Sequence, residues 1–421
     1  MTRQSFLRNS SCAVIVAALG VSALTMMGRA NGQGNDFAQQ QRGRYLAAVG
    51  DCAACHTAEN GAMLAGGRPI ETPFGIIYSP NITPDTETGI GSWTSDQFYH
   101  AMHDGIAADG SHLYPAFPYP WFTKATRDDI DSLYAYLRTV PAAKYRRPDN
   151  TFPWPLNDRT AMIGWNKLYF TPGTFRPDPK QSAQWNRGAY LVEGLGHCGA
   201  CHTPKNVFGA DKSSEAFQGS DIQHWFAPDL TGDKLSGLGS WSQQDIAKFL
   251  KTGKTDRTVA YGPMAEVVER STSKMSDDDL TAIAVYLKSL SAAGSDSASS
   301  GSAANQSSFG ATLYADACSA CHQKNGEGVP GLFPSLKGDA VVQSAKPTTV
   351  IRLILNGGQA AGTKASPTMP GMPAFGWKLS DDQIAAVATY VRGAWGNKAA
   401  SVSASDVSDL RKALKDASSA N

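Results

Sequence analysis

Cys52-Ala53-Ala54-Cys55-His56, Cys198-Gly199-Ala200-Cys201-His202 and Cys318-Ser319-Ala320-Cys321-His322 repeat one pattern, C-x-x-C-H, three times along a chain of 421 residues. The spacing carries its own chemistry. Two thiols one helical turn apart can each add to a vinyl group of one porphyrin, and the next residue turns its imidazole onto the iron. We therefore expect three covalent haem c groups, attached through Cys52 and Cys55, Cys198 and Cys201, and Cys318 and Cys321. His56, His202 and His322 are the expected axial iron ligands. A structural zinc site would bring its ligand pairs within about 12 to 20 residues of one another, whereas these lie 146 and 120 positions apart. A thioredoxin-like dithiol would sit in a βαβ pattern that the flanks lack, and a structural disulfide needs no following histidine.

The remaining cysteine, Cys12, lies in an N-terminal segment that reads as an export signal: Arg3 and Arg8, an apolar run over 12–27, then Gly28-Arg29-Ala30 for cleavage. That run is shorter than the 18 or more apolar residues of a spanning helix, so residues 1–30 are expected to be removed. Charged residues make up 18% and the formal net charge is +1. Such a balance gives no bias toward nucleic acid or an anionic membrane surface.

Internal repeats set the organisation. Arg42-Gly43-Arg44-Tyr45-Leu46 precedes the first motif and Arg187-Gly188-Ala189-Tyr190-Leu191 the second. Gly89-Ile90-Gly91-Ser92-Trp93-Thr94 matches Gly237-Leu238-Gly239-Ser240-Trp241-Ser242. A third, more compact unit begins at Gly310-Ala311-Thr312-Leu313-Tyr314. Each unit closes on a helix announced by a capping residue and acids, at Thr126, Ser276 and Ser380. The expected fold is mainly α, with long loops and almost no β alternation: domains over 36–145, 183–290 and 309–397. A Pro- and aromatic-rich strap over 146–182 joins the first two, a Ser/Ala/Gly tether over 291–308 the last two. The tail, 398–421, has Val407, Leu410 and Leu414 on one face of a short helix, read as a frayed terminus with a membrane-surface role as the alternative.

The sixth ligand decides what each haem does, because a thioether makes an electron carrier and an open site permits catalysis. In the third unit the loop before the closing helix offers Met372, with Met369 as runner-up. The second offers Met264, 23 residues after Trp241, in preference to Met275. In the first, the corresponding residue is Phe117, which cannot bind iron. Met102 is the leading substitute there, with packing against the haem as its alternative role; His112, His103 and Met63 are further candidates.

Further stretches carry a family resemblance: Gly66-Gly67-Arg68-Pro69-Ile70-Glu71-Thr72-Pro73-Phe74-Gly75, Ser79-Pro80-Asn81-Ile82-Thr83-Pro84-Asp85, the run from Arg187 to His197, and Met372-Pro373-Ala374-Phe375-Gly376-Trp377. The chain resembles, over nearly its whole mature length, the triheme cytochrome c subunits of membrane-bound bacterial dehydrogenases that oxidise sugars, sugar acids and alcohols at the periplasmic face. The resemblance implies three tandem class I cytochrome c domains and electron transfer without catalysis by this chain. It implies a flavin-containing (or PQQ-containing) dehydrogenase partner, with room for a small third subunit. It also implies ubiquinone as acceptor and peripheral attachment at the periplasmic face of the cytoplasmic membrane. Phe117 and the stretch Gly164 to Gly173 are more similar to the flavin branch (gluconate, 2-ketogluconate, sorbitol and fructose dehydrogenases), since the quinoprotein alcohol dehydrogenase branch tends to carry Met at the position of Phe117. The rival readings are a self-contained haem enzyme with an open first haem and a soluble shuttle without a fixed partner.

Overall fold

The computed structural model describes residues 36–292 and 308–420. The expected export signal and all but the ends of the expected tether lie outside the described residues. In the first unit, helix α1 (36–49) leads through a turn into α2 (Cys52–His56), the hairpin β1 (Pro69–Thr72) and β2 (Gly75–Tyr78), α3 (Ser95–Asp104), α4 (Tyr119–Phe122) and the closing α5 (Arg127–Leu137). A single helix, α6 (Ala161–Tyr169), interrupts the strap. The second unit repeats the order with α7 (Ala183–Glu193), α8 (Gly199–His202), β3 (Ser220–Ile222), β4 (Trp225–Ala227), α9 (Gln243–Thr252), α10 (Pro263–Arg270) and α11 (Asp277–Ser289). The third has α12 (Ser308–Ala317), α13 (Ser319–His322), α14 (Thr348–Asn356), β5 (Gly358–Gln359), β6 (Gly371–Met372) and α15 (Asp381–Gly393), followed by α16 (Ala404–Ala420). The fold is mainly α, as expected. The three antiparallel hairpins add two to four residues per strand, too few for an alternation of period two to stand out in sequence.

Each closing helix starts where its cap predicts. The side chains of Thr126, Ser276 and Ser380 accept hydrogen bonds from the backbone N–H three residues on, satisfying donors that the first turn leaves free. The helix before each motif then crosses its closing helix at a glycine. A Cβ on Gly43, Gly188 or Gly310 would lie 1.8, 2.0 or 2.4 Å from the carbonyl oxygen of Ser132, Ala282 or Ala386. The repeated glycine in the three lead-in stretches is thus the contact point of two backbones.

The units are not three beads in series. One continuous core runs through the first two, from Leu46, Val49 and Leu133 to Leu191, Leu280 and Ile283. Their junction is reciprocal. Tyr190 of the second unit donates to Asp129 of the first at 2.6 Å, and Tyr45 of the first donates to Asp279 of the second at 2.6 Å. Each carboxylate is also bound by an arginine of its own unit, Arg42 on Asp129 and Arg187 on Asp279.

The third unit has its own core and sits on the second. Thr349 at the start of α14 accepts from the Phe226 N–H and donates to the Phe226 carbonyl of the β3–β4 hairpin, and Ala361 N–H donates to Ala260 O. On the first unit the strap takes the equivalent place. Asn150 and Thr151 accept from the Tyr78 and Ile76 N–H groups of the β1–β2 hairpin, and Phe152 and Met162 bury against Tyr114. The surface that the strap covers is therefore its own chain's. The tail is neither frayed nor free for a membrane: α16 buries Val407 and Leu414 against the third unit, and Arg411 ties it to Asp381 and to the carbonyl of Leu379.

Candidate functional site

Each C-x-x-C-H motif forms a single helical turn, entered in the first two units through a left-handed residue, Asp51 (φ 49°) and His197 (φ 36°). None of the six cysteines forms a disulfide. Burial pushes the Cys52 and Cys198 thiols up to about 12, opposite to the lowered pKa of a redox dithiol.

The three histidines are held alike. Nδ1 of His56, His202 and His322 donates to the carbonyl oxygens of Pro80, Pro228 and Pro334 at 2.8, 2.7 and 3.0 Å. That bond fixes the tautomer, aims each ring and leaves Nε2 with a free lone pair, as a metal ligand requires. Burial lowers the pKa of all three rings, which keeps them in the neutral, ligating form. The role of the three prolines escaped the sequence reading, although each precedes a polar residue and then Ile or Leu: Pro80-Asn81-Ile82, Pro228-Asp229-Leu230, Pro334-Ser335-Leu336.

The third unit tests whether these residues suit a haem. One apolar cavity is lined by Cys318, Cys321 and His322 on one side and by Met372, Ile354 and Val387 among others. It brings the two attachment cysteines, the expected axial histidine and the expected thioether to one space, which is the donor set of a c-type haem. Met369, the runner-up, is 47% exposed. When bound there, the haem supplies a one-electron couple whose potential the axial ligands and the burial tune. Val259 and Tyr261 of the second unit also line this cavity. They lie on the loop leading to Met264, so the second unit supplies part of the wall of the third cavity.

Met264, the second residue of α10, packs against the cluster of Ala260, Ala265, Val268 and Ala361, while Met275 is buried in the shared core. The equivalence of Phe117 with Met264 is visible in the backbone. Leu113 N–H donates to Gly105 O and Ala260 N–H to Gly253 O, both glycines ending their helices in the left-handed region; four residues beyond come Phe117 and Met264. Met102 is 5% exposed in the shared core. It stands three residues before Gly105, as Ile354 of the third cavity stands three before Gly357. Of the other candidates, Met63 is 67% exposed, His103 pairs with Asp104 and stacks on Tyr99, and His112 Nδ1 faces the Asn166 amide at 3.4 Å.

At the junction each of the first two attachment turns is covered by the other unit: Ser271 and Arg270 of the second donate to Val49 O and Ala53 O beside the first turn, and Trp121 of the first lies on Gly199 of the second. Their coverings differ. Over α8 lies Trp121, packed on Gly199, with Phe122 edge-on to His197. Over α2 lie Arg68, Glu266 and Arg270, with Arg68 donating to Ala54 O at 2.5 Å and Arg270 to Ala53 O at 3.3 Å.

The cytochrome c family matches this chain three times, over residues 40–141, 186–291 and 307–395. The gluconate 2-dehydrogenase cytochrome c subunit of Pantoea cypripedii is 42% identical over 420 residues, covering 94% of this chain and 95% of its own. The cytochrome c subunit of the alcohol dehydrogenase (quinone) of Gluconobacter oxydans (strain 621H) is 40% identical, covering 94% and 87%. The fructose dehydrogenase cytochrome subunit of Gluconobacter japonicus is 40% identical, covering 88% and 82%. Three attachment turns with their oriented histidines, repeated in three matched regions, make this chain a member of the cytochrome c family, an electron-transfer protein that carries three c-type haems.

Proposed function

We propose that this chain is the cytochrome subunit of an exported, flavin-dependent sugar, sugar-acid or polyol dehydrogenase, and that it relays electrons from that partner to ubiquinone at the periplasmic face of the cytoplasmic membrane. The observation that carries the reading is the contiguity of the three units: the first two share one core and cover each other's attachment turns, and one loop of the second unit walls the third cavity. Electron transfer falls steeply with distance, so contiguous haems suit a relay. The relatives named above are all cytochrome subunits of dehydrogenases, and Phe117 supports the flavin branch. No helix among the described residues is long and apolar enough to cross a membrane, which suits peripheral attachment.

Within the relay, Met372 and Met264 are the sixth ligands of the third and second haems. Met102, at the position that lines the third cavity as Ile354, is the sixth ligand of the first. Purification of the native complex tests the proposal. Bound flavin, with reduction of the haems on adding a polyol or sugar acid, is the expected result. A bound quinone cofactor with reduction by ethanol would move the chain to the alcohol dehydrogenase branch, and purification without a partner would end the subunit reading.

A further inference from the structure

The residue before the first cysteine of each motif differs among the units: Asp51, His197 and Ala317. In the third unit this residue, Ala317, lines the cavity that holds Cys318, Cys321 and His322. In the first unit the residue is Asp51, which directly precedes Cys52 in a left-handed turn and so places a carboxyl group at the attachment point of the first haem. That side chain is half-buried, and its Oδ1 is sealed from solvent with no hydrogen-bond partner. An unsatisfied buried carboxylate oxygen is costly, and nothing in the packing of the unit requires an acid here, since an alanine serves the third unit.

The charges around Asp51 come from both units. On α10, Glu266 pairs with Arg270 at 3.1 Å and binds Arg68 bidentately, with one of the two bonds at 2.7 Å. Lys274 follows α10. On its own side stand Arg68 and the Cys52 and Cys55 sulfurs, which become neutral thioethers when haem is attached. Arg68 and Arg270 are already committed to Glu266 and to the Ala54 and Ala53 carbonyls, so neither forms an ion pair with Asp51.

We propose that Asp51 couples the first haem to a proton: its carboxylate binds a proton from water when the haem iron is reduced and releases it when the iron is reoxidised. The balance is one electron and one proton. The Asp51 carboxylate would take one proton from solvent for each electron that a haem held by Cys52 and Cys55 gains from the donor or the neighbouring haem, so that charge stays balanced. Onward transfer of the electron to the second haem reverses both steps. Burial first, and then the negative charge of Glu266, lift the carboxyl to about 8, so the exchange falls in an accessible pH range. The second site carries the neutral ring of His197, edge-on to Phe122, and lacks the device. The inference rests on haem attachment at Cys52 and Cys55 and is independent of which dehydrogenase or quinone the chain serves.

Spectroelectrochemical titration of the purified chain, with three haems confirmed by absorbance, tests it between about pH 6 and pH 10. One haem is expected to lose up to tenfold in its reduction equilibrium per pH unit, about 59 mV, over a window near and above pH 8, while the other two stay flat there. Asp51→Asn should abolish that slope and hold the potential at its low-pH value. Glu266→Gln should move the window to lower pH. Three pH-independent haems in the wild type, or an unchanged slope in Asp51→Asn, would overturn the proposal. The wild-type titration decides even where a variant fails to fold.

Discussion

Tyr190→Phe removes one oxygen from the junction of the first two units, and its consequence can be worked out against Tyr45→Phe at the reciprocal position. The Tyr190 hydroxyl donates to Asp129 and accepts from the Thr126 N–H at 3.1 Å; the residue is 8% exposed and the Asp129 side chain 2%. Loss of a hydrogen bond to a charged acceptor costs about 1.5–3 kcal/mol, and a buried N–H left unpaired adds about 1–3 kcal/mol. Partial relaxation brings the expected loss to about 2–4 kcal/mol. Tyr45 makes the matching bonds, to Asp279 and from the Ser276 N–H at 3.2 Å, but it is only half-buried, so water replaces part of what is lost and about 1 kcal/mol is expected. Guanidinium denaturation, followed by Soret absorbance and far-ultraviolet circular dichroism, reads both variants. A Tyr190→Phe change within about 0.5 kcal/mol of wild type, or a larger loss for Tyr45→Phe, would refute the view that burial at this junction locks the two units together.

Met372→Ala should let the reduced third haem bind carbon monoxide and lower its potential by more than the about 59 mV that marks a tenfold change; an unaltered third haem would exclude Met372 as ligand. Met102→Leu should do the same to the first haem, and an unchanged carbon monoxide difference spectrum would leave Met102 a packing residue. Gly188→Ala forces a methyl group against the Ala282 carbonyl and should destabilise the chain by about 1–3 kcal/mol in the same denaturation assay. Asp51 also has a stability signature. Its carboxyl is lifted to about 8, by burial and then Glu266, from about 3.9 in an unfolded chain. The folded state keeps a proton that the unfolded state releases, so wild-type stability falls as pH rises from about 4 to about 8 and stays lower above. The midpoint advantage of Asp51→Asn over wild type should therefore be larger at about pH 9 than at about pH 5, and an advantage independent of pH would contradict the raised carboxyl.

The three motif turns, the closing helices and the mainly α class were legible because each is written locally. Thiol spacing, capping residues and helical periodicity act within a few positions of one another. The role of Pro80, Pro228 and Pro334 was not legible, because a backbone carbonyl has no residue type and its partner histidine lies 24, 26 or 12 positions away. The tail was misjudged for a related reason: the apolar face of α16 was visible, but the groove on α14 and α15 that receives it exists only after the third unit has folded.

What the sequence determined by itself is three haem c groups and a repeated helical unit, since these follow from side-chain chemistry at fixed short spacing. Tertiary structure alone decided that two units share a core while the third docks, that the strap covers on the first unit what the third unit covers on the second, and that Glu266 and Arg270 of the second unit lie over the first motif. Those outcomes depend on which surfaces meet across hundreds of positions. Contacts such as Tyr45 with Asp279, 234 residues apart, arise from shape and burial in the assembled chain, which no local pattern encodes.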